Sequence, residues 1–252
     1  MKMKPKVLKA MRVMLIVGAT VLLAGSVFIR WGNDVARAFE SDAPSRSLGS
    51  TKEGSLLNGK RLPSFGPNFR AYGRLPIALG RNSLNDRVRT VVLAAYATLE
   101  KRRPRVTFVY AECSWPSGGR LRPHATHRNG LSIDFMVPVV KASSPAVLNT
   151  GIANKYGYSS HFDTNGWCKA QQCKIDFDAL AEHLHCLADA ADAEGITIWR
   201  VIFAPDLQPH LFATERGSTL QSRLTFSKKQ SWVRHDEHYH VDFNNPDEEN
   251  SQ

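Results

Sequence analysis

The chain has 252 residues, enough for one domain with a substantial core plus a short extra segment, and its apolar and charged fractions of 42% and 22% exclude a disordered or fibrous protein. The formal net charge is +10, but it is unevenly spread: residues 1–38 hold seven basic side chains against Asp34 alone, and the rest holds 26 basic against 22 acidic. With no basic run interleaved with aromatics, this pattern argues against a nucleic-acid partner.

The chain opens on a basic stretch, MKMKPKVLKAMR, followed by seventeen uncharged residues, Val13–Ile29. Ala36-Arg37-Ala38 then offers the small-x-small pattern of a signal-peptidase site. Seventeen residues also lie at the short end of what spans a bilayer, so residues 1–38 read as a signal peptide or a membrane anchor. Either reading exports the body and leaves the basic flank inside. Residues 39–60, rich in Ser, Gly and charge, read as a linker ahead of one domain over 61–252.

Within that domain, Leu62–Arg81 reads as irregular coil because Pro and Gly recur every few residues. The segment NSLNDRVRTVVLAAYATLEKRR predicts a helix capped by Asn82 or Ser83, with an apolar stripe of Leu84, Val88, Val91, Val92, Ala95 and Leu99. Arg105–Tyr110 predicts a short strand. Leu131–Val139 alternates, with Leu131, Ile133, Phe135 and Val137 facing one way and Ser132, Asp134 and Met136 the other. The polar, glycine-containing lobe Lys141–Lys174 reads as a long functional loop. A second helix over Asp176–Glu194 stops at Gly195, Ile196–Phe203 predicts a buried strand, and His238–Phe243 predicts the last strand before an acidic tail. Strands and helices do not alternate strictly, so the class is α+β: a small, mainly antiparallel sheet with flanking helices and long loops.

Four cysteines follow the apolar segment. An even count in an oxidising compartment predicts disulfides, with Cys168–Cys173 as the local pair and Cys113–Cys186 as the remainder. A four-thiolate zinc site is disfavoured, since Cys113 and Cys186 have no partner at ligand spacing.

Two stretches carry chemistry: HATHRNGLSID, His124 to Asp134, and HDEHYHVDF, His235 to Phe243. Residues two apart share a strand face, so His238, His240 and Asp242 lie together, opposite Tyr239, Val241 and Phe243. If this strand neighbours the one bearing Asp134, then Asp134 and His240 face one point. His127 can fold back over it, aided by the backbone freedom of Gly130. Two imidazoles and a carboxylate suit a catalytic zinc with one position left for water, which such an ion makes acidic enough to ionise near pH 7 (about 7 for its pKa).

GGRLRPHATHRNGLSIDF together with HDEHYHVDF resembles the penicillin-insensitive murein endopeptidases, members of a wider group of zinc peptidases that includes D-alanyl-D-alanine metallopeptidases and lysostaphin-type enzymes. The resemblance implies a small α+β core and a periplasmic enzyme that cleaves D-alanyl–diaminopimelyl bonds in peptidoglycan cross-links. The group's shared signature falls on His127, Asp134 and His240 as zinc ligands. The endopeptidases' additional histidines match His124, three residues before the first ligand, and His235, five before the last. Ser117-Gly118-Gly119-Arg120 also fits the family's approach to the site. One departure is visible: the loop SSHFDTNGWCKAQQC offers His161 and Asp163 in a different order and spacing from the family's second-metal pair.

His238 is assigned as base or oxyanion stabiliser, Glu237 is the second choice, and His235 can reach in from the preceding turn. His124 is a fourth ligand, an outer partner or a substrate contact. Arg120 or Arg122 can meet a substrate carboxylate. His183, His185 and His210 read as packing or surface histidines. Two other functions remain open: a carboxypeptidase trimming stem peptides on the same zinc, and a cell-wall-binding module whose metal is structural.

Overall fold

The computed structural model describes residues 5–245; the first four residues of the basic stretch and residues 246–252 of the acidic tail lie outside them. In chain order the elements are α1 (Pro5–Ala38), β1 (Arg46–Gly49), β2 (Gly54–Leu57), β3 (Lys60–Arg61), β4 (Phe69–Ala71), α2 (Arg74–Ala78), β5 (Ser83–Leu84), α3 (Asp86–Arg102), β6 (Phe108–Tyr110) and β7 (Ser132–Met136). They continue with β8 (Val139–Lys141), β9 (Ser144–Ala146), a 3-10 turn (Ile152–Gly157), β10 (Trp167–Cys168), β11 (Cys173–Ile175), α4 (Phe177–Ala193), β12 (Ile198–Ile202), α5 (Gln208–Phe212), α6 (Gly217–Arg223) and β13 (His238–Phe243).

The central sheet has five strands in the order β12-β13-β7-β6-β4, antiparallel except for the β4–β6 pair. Its two faces differ as the alternation of β7 and β13 requires. Phe135 and Tyr239 stack across the two strands at 5.4 Å, and α3 and α4 cover them through Tyr96 and His183. On the opposite face β7 and β13 present Asp134, His238, His240 and Asp242, all buried. The lobe after β7 folds over that side. It is not the long loop expected but a small sheet of order β10-β11-β8-β9 followed by α4.

Several local expectations shift. α3 is capped by Asn85, whose side chain accepts from the Arg87 amide; Asn82 and Ser83 are not available, because Ser83–Leu84 pair with Lys60–Arg61 and Leu84 belongs to that strand. Residues 46–57 are a β-hairpin rather than a loose linker: Leu56 is buried and Ser47 Oγ donates to the Asn129 carbonyl at 2.8 Å. Phe108–Tyr110 alone pairs of the predicted Arg105–Tyr110 strand. β12 is an edge strand rather than a buried one, with Trp199 exposed beneath the Arg200 guanidinium at 4.4 Å.

The disulfides do not form; all four thiols are free and buried. Cys168 and Cys173 face each other in the β10–β11 register as unjoined neighbours, and burial together with the Cys168 thiol pushes Cys173 up to about 11. Cys113 lies near Tyr96 and Tyr110 with its Sγ toward the Ala111 carbonyl, whereas Cys186 sits on α4 against Glu182 and Arg102. The second pair therefore occupies different environments.

Candidate metal centre

The antiparallel register sets Asp134 directly opposite His240, with Ser132 opposite Asp242 and Met136 opposite His238. Facing residues in such a pair have neighbouring Cβ atoms, so the carboxylate and the imidazole are brought together by backbone pairing alone. The loop before β7 adds His124 and His127. Gly130 lets it close: its φ is +77°, and a Cβ there would lie 2.7 Å from the Asn85 amide nitrogen. His127 itself is held at φ +67°.

Asp134 is the hub. Its Oδ1 lies 2.8 Å from His240 Nδ1 and 3.3 Å from His127 Nε2; its Oδ2 lies 3.8 Å from both His124 Nδ1 and His238 Nε2. Tyr158 Oη donates to Oδ2 at 2.9 Å. His124, His127 and Asp134 form a group able to hold a metal ion, their donor atoms all within 4.8 Å of one another.

His127 supplies the test of fit. It is fully buried, and among the described residues neither ring nitrogen has a hydrogen-bond partner, since the 3.3 Å approach to Asp134 lacks hydrogen-bond geometry. Buried polar atoms are almost always satisfied, and an orphan costs about 1–3 kcal/mol. A cation between His127 Nε2 and Asp134 would give that nitrogen a partner and neutralise the carboxylate.

The electrostatics agree. Burial opposes the charge on Asp134, yet His127 and His238 hold its carboxyl well below the usual range. Burial pushes His124 down to about 3, so this ring is neutral and free to ligate. Burial likewise opposes a proton on His240, but Asp242 and Asp134 outweigh it and push that ring up to about 10. The site keeps Asp134 ionised and favours positive charge beside it, as in the proton held on His240.

His240 is also oriented from behind. Its Nε2 faces Asp242 Oδ1 at 2.7 Å, and Asp242 accepts from Ser132 Oγ at 2.6 Å and Arg200 Nε at 3.0 Å. Glu237 precedes β13, and its Oε1 meets His238 Nδ1 at 2.9 Å. His235, at φ +56°, packs on His238 at 4.6 Å with its Nδ1 on the Val233 carbonyl.

A cavity of about 680 Å³ opens onto this cluster, lined among others by Tyr72, Glu112, His124, Tyr158, His235 and His238. His127, Asp134 and His240 lie buried behind that wall. His161 reaches the cavity, and Asp163 Oδ1 accepts from the Asn165 and Trp167 amides. Arg120 and Arg122 are absent from the lining. Sequence reasoning missed Tyr158 and Glu112. Tyr158 lies in a lobe without periodicity, and Glu112, between Tyr72 Oη at 2.6 Å and Arg81, lies in the coil after β6.

A family model described as penicillin-insensitive murein endopeptidase matches residues 47–252. No curated protein matches the chain.

Proposed function

The chain belongs to the penicillin-insensitive murein endopeptidase family, and on that premise we propose that it is a zinc-dependent endopeptidase hydrolysing D-alanyl–diaminopimelyl bonds in peptidoglycan cross-links on the periplasmic side of the membrane. The observation that carries the reading is His127, buried with no hydrogen-bond partner among the described residues and with its Nε2 turned toward an ionised Asp134.

His127, Asp134 and His240 would hold the metal, with His124 placed to join them. Zinc bound there supplies a Lewis acid for the scissile carbonyl and for water. Asp242 keeps His240 turned so that Nδ1 faces Asp134. His238 is the proton carrier: Glu237 engages its Nδ1, which leaves Nε2, on the Asp134 side, to take and return a proton. His235 packs against that ring and limits its rotation. Tyr158 fixes Asp134 Oδ2.

The deciding experiment digests cross-linked muropeptide dimers and monomeric stem peptides with the purified full chain and identifies the products by mass spectrometry. Conversion of dimers to monomers, stopped by chelation and restored by zinc, is the expected result. Loss of a terminal D-alanine from stems with dimers intact would identify a carboxypeptidase instead, and full activity in metal-free protein would reject the zinc reading.

A further inference from the structure

Within Met11–Ala38, α1 carries an 18-residue window of mean hydropathy 2.2, long and apolar enough to cross a membrane, and none of that window is covered by other described residues. The uncharged stretch Val13–Ile29 spans roughly 26 Å at about 1.5 Å per residue, close to a bilayer's hydrocarbon thickness. At its end Arg30 lies over the Trp31 ring at 5.2 Å, and Trp31 and Phe39 are exposed. This combination suits the membrane–water boundary.

Beyond Arg30 the helix becomes part of the domain. Asn33 is only 3% exposed; its Nδ2 donates to the Leu62 carbonyl at 3.0 Å and to Ser64 Oγ at 3.1 Å, and its Oδ1 accepts from Asn82 Nδ2 at 2.9 Å. Asp34 accepts from Ser64 Oγ at 3.2 Å, and Arg74 donates to the Arg30 carbonyl at 3.2 Å. Gly32 packs beside α2: a Cβ there would be in ordinary contact with the Ala78 Cβ, at 3.4 Å. Nor is there slack after the helix. Glu40 accepts from the Arg61 amide at 2.6 Å and from Arg89 at 3.2 Å, Lys60 donates to the Ala43 carbonyl at 2.9 Å, and the Ser45 amide donates to Asp86 at 2.9 Å.

We propose that α1 is retained as a membrane anchor and that its last two turns are a built part of the catalytic domain, which makes the bilayer a fixed partner of this protein. Cleavage after Ala38 would strip Asn33 and Asp34 from Leu62, Ser64 and Asn82. The Ala36-Arg37-Ala38 sequence forms the last turn of the helix and would have to unwind to be cut. The same short region ties anchor to groove: Tyr72 lines the cavity, and Arg74, two residues on, holds the Arg30 carbonyl. The groove is thereby set at a constant height over the membrane rather than free to range on a tether.

The test uses the full chain and no peptidase assay, so its outcome is independent of the substrate reading. Protein expressed with its own N-terminal segment is fractionated, extracted with alkaline carbonate and weighed intact. Retention in the membrane, with a mass that includes residues ahead of Phe39, is expected; a soluble protein beginning at Phe39 overturns the proposal. In lipid nanodiscs, Asn33→Leu should lower the domain's melting temperature by roughly 3–8 °C. Ser26→Ala, whose hydroxyl bonds only the Leu22 carbonyl within the span, should leave it unchanged. Equal melting of Asn33→Leu and wild type overturns the docking.

Discussion

Asp242 faces His240 Nε2 at 2.7 Å and thereby turns that ring's Nδ1 toward Asp134, 2.8 Å away. Carboxylate partners of ligating histidines typically contribute 10–100-fold in metal affinity. Asp242→Asn keeps the shape but weakens the acceptor and leaves Arg200 without its counter-charge. Zinc affinity measured by competition with a chelating dye should fall by roughly 10–100-fold, with peptidase activity following. Wild-type affinity in this variant would mean that His240 is oriented by something else.

Tyr158 is the corresponding constraint on Asp134, through its 2.9 Å bond to Oδ2 and its edge-on packing against His124 and His238. Tyr158→Phe retains the packing and removes only the donor. The expected result is a fall in kcat with nearly unchanged melting temperature, since the hydroxyl acts on the geometry of the site rather than on the core. A fall in stability with kcat intact would assign Tyr158 a purely structural role.

These two residues also show what the sequence made legible. Asp134 and His240 could be paired beforehand because a strand repeats every two residues and both sit on the polar face of an otherwise apolar strand. Asp242 shares that face, so its place was implied. Tyr158 enters through a lobe whose small sheet has no comparable pattern, and its approach to Asp134 depends on how that lobe folds back. The same limit explains the cap of α3: Asn82, Ser83 and Asn85 are all good caps in isolation, and only the pairing of Ser83–Leu84 with Lys60–Arg61 selects Asn85. For the cysteines, even count and short spacing suggest bonds, but Cys113 sits near Tyr96 and Tyr110 while Cys186 lies against Glu182 and Arg102.

Metal binding should also appear as stability. A ligand that binds the folded state alone adds about 2.7 kcal/mol at a hundred times its dissociation constant. Zinc should therefore raise the melting temperature of the wild-type chain, and chelation should lower it reversibly. Asp134→Asn removes the charge at the hub, so its melting temperature should not respond to zinc. A zinc-dependent shift of wild-type size in Asp134→Asn would place the binding site elsewhere.

On the other face of the sheet, His183 makes a prediction about pH that does not involve the metal site. Its ring is buried among Tyr96, Phe108 and Phe135, with Nδ1 on Tyr239 Oη, and burial pushes it from 6.5 down to about 3. Between those values the unfolded chain binds a proton that the folded chain does not, so stability falls as pH drops through 6.5, by about 1.4 kcal/mol per pH unit. His124 and His235 titrate in the same sense and His240 in the opposite one, so the total slope is not diagnostic. The comparison with His183→Phe is, because phenylalanine keeps an aromatic ring in an aromatic box and cannot take a proton. Denaturant melts at pH 7 and pH 5 should show a smaller loss of stability for the variant than for the wild type. Equal losses would mean that His183 carries its proton in the folded state, against the position the structure gives it.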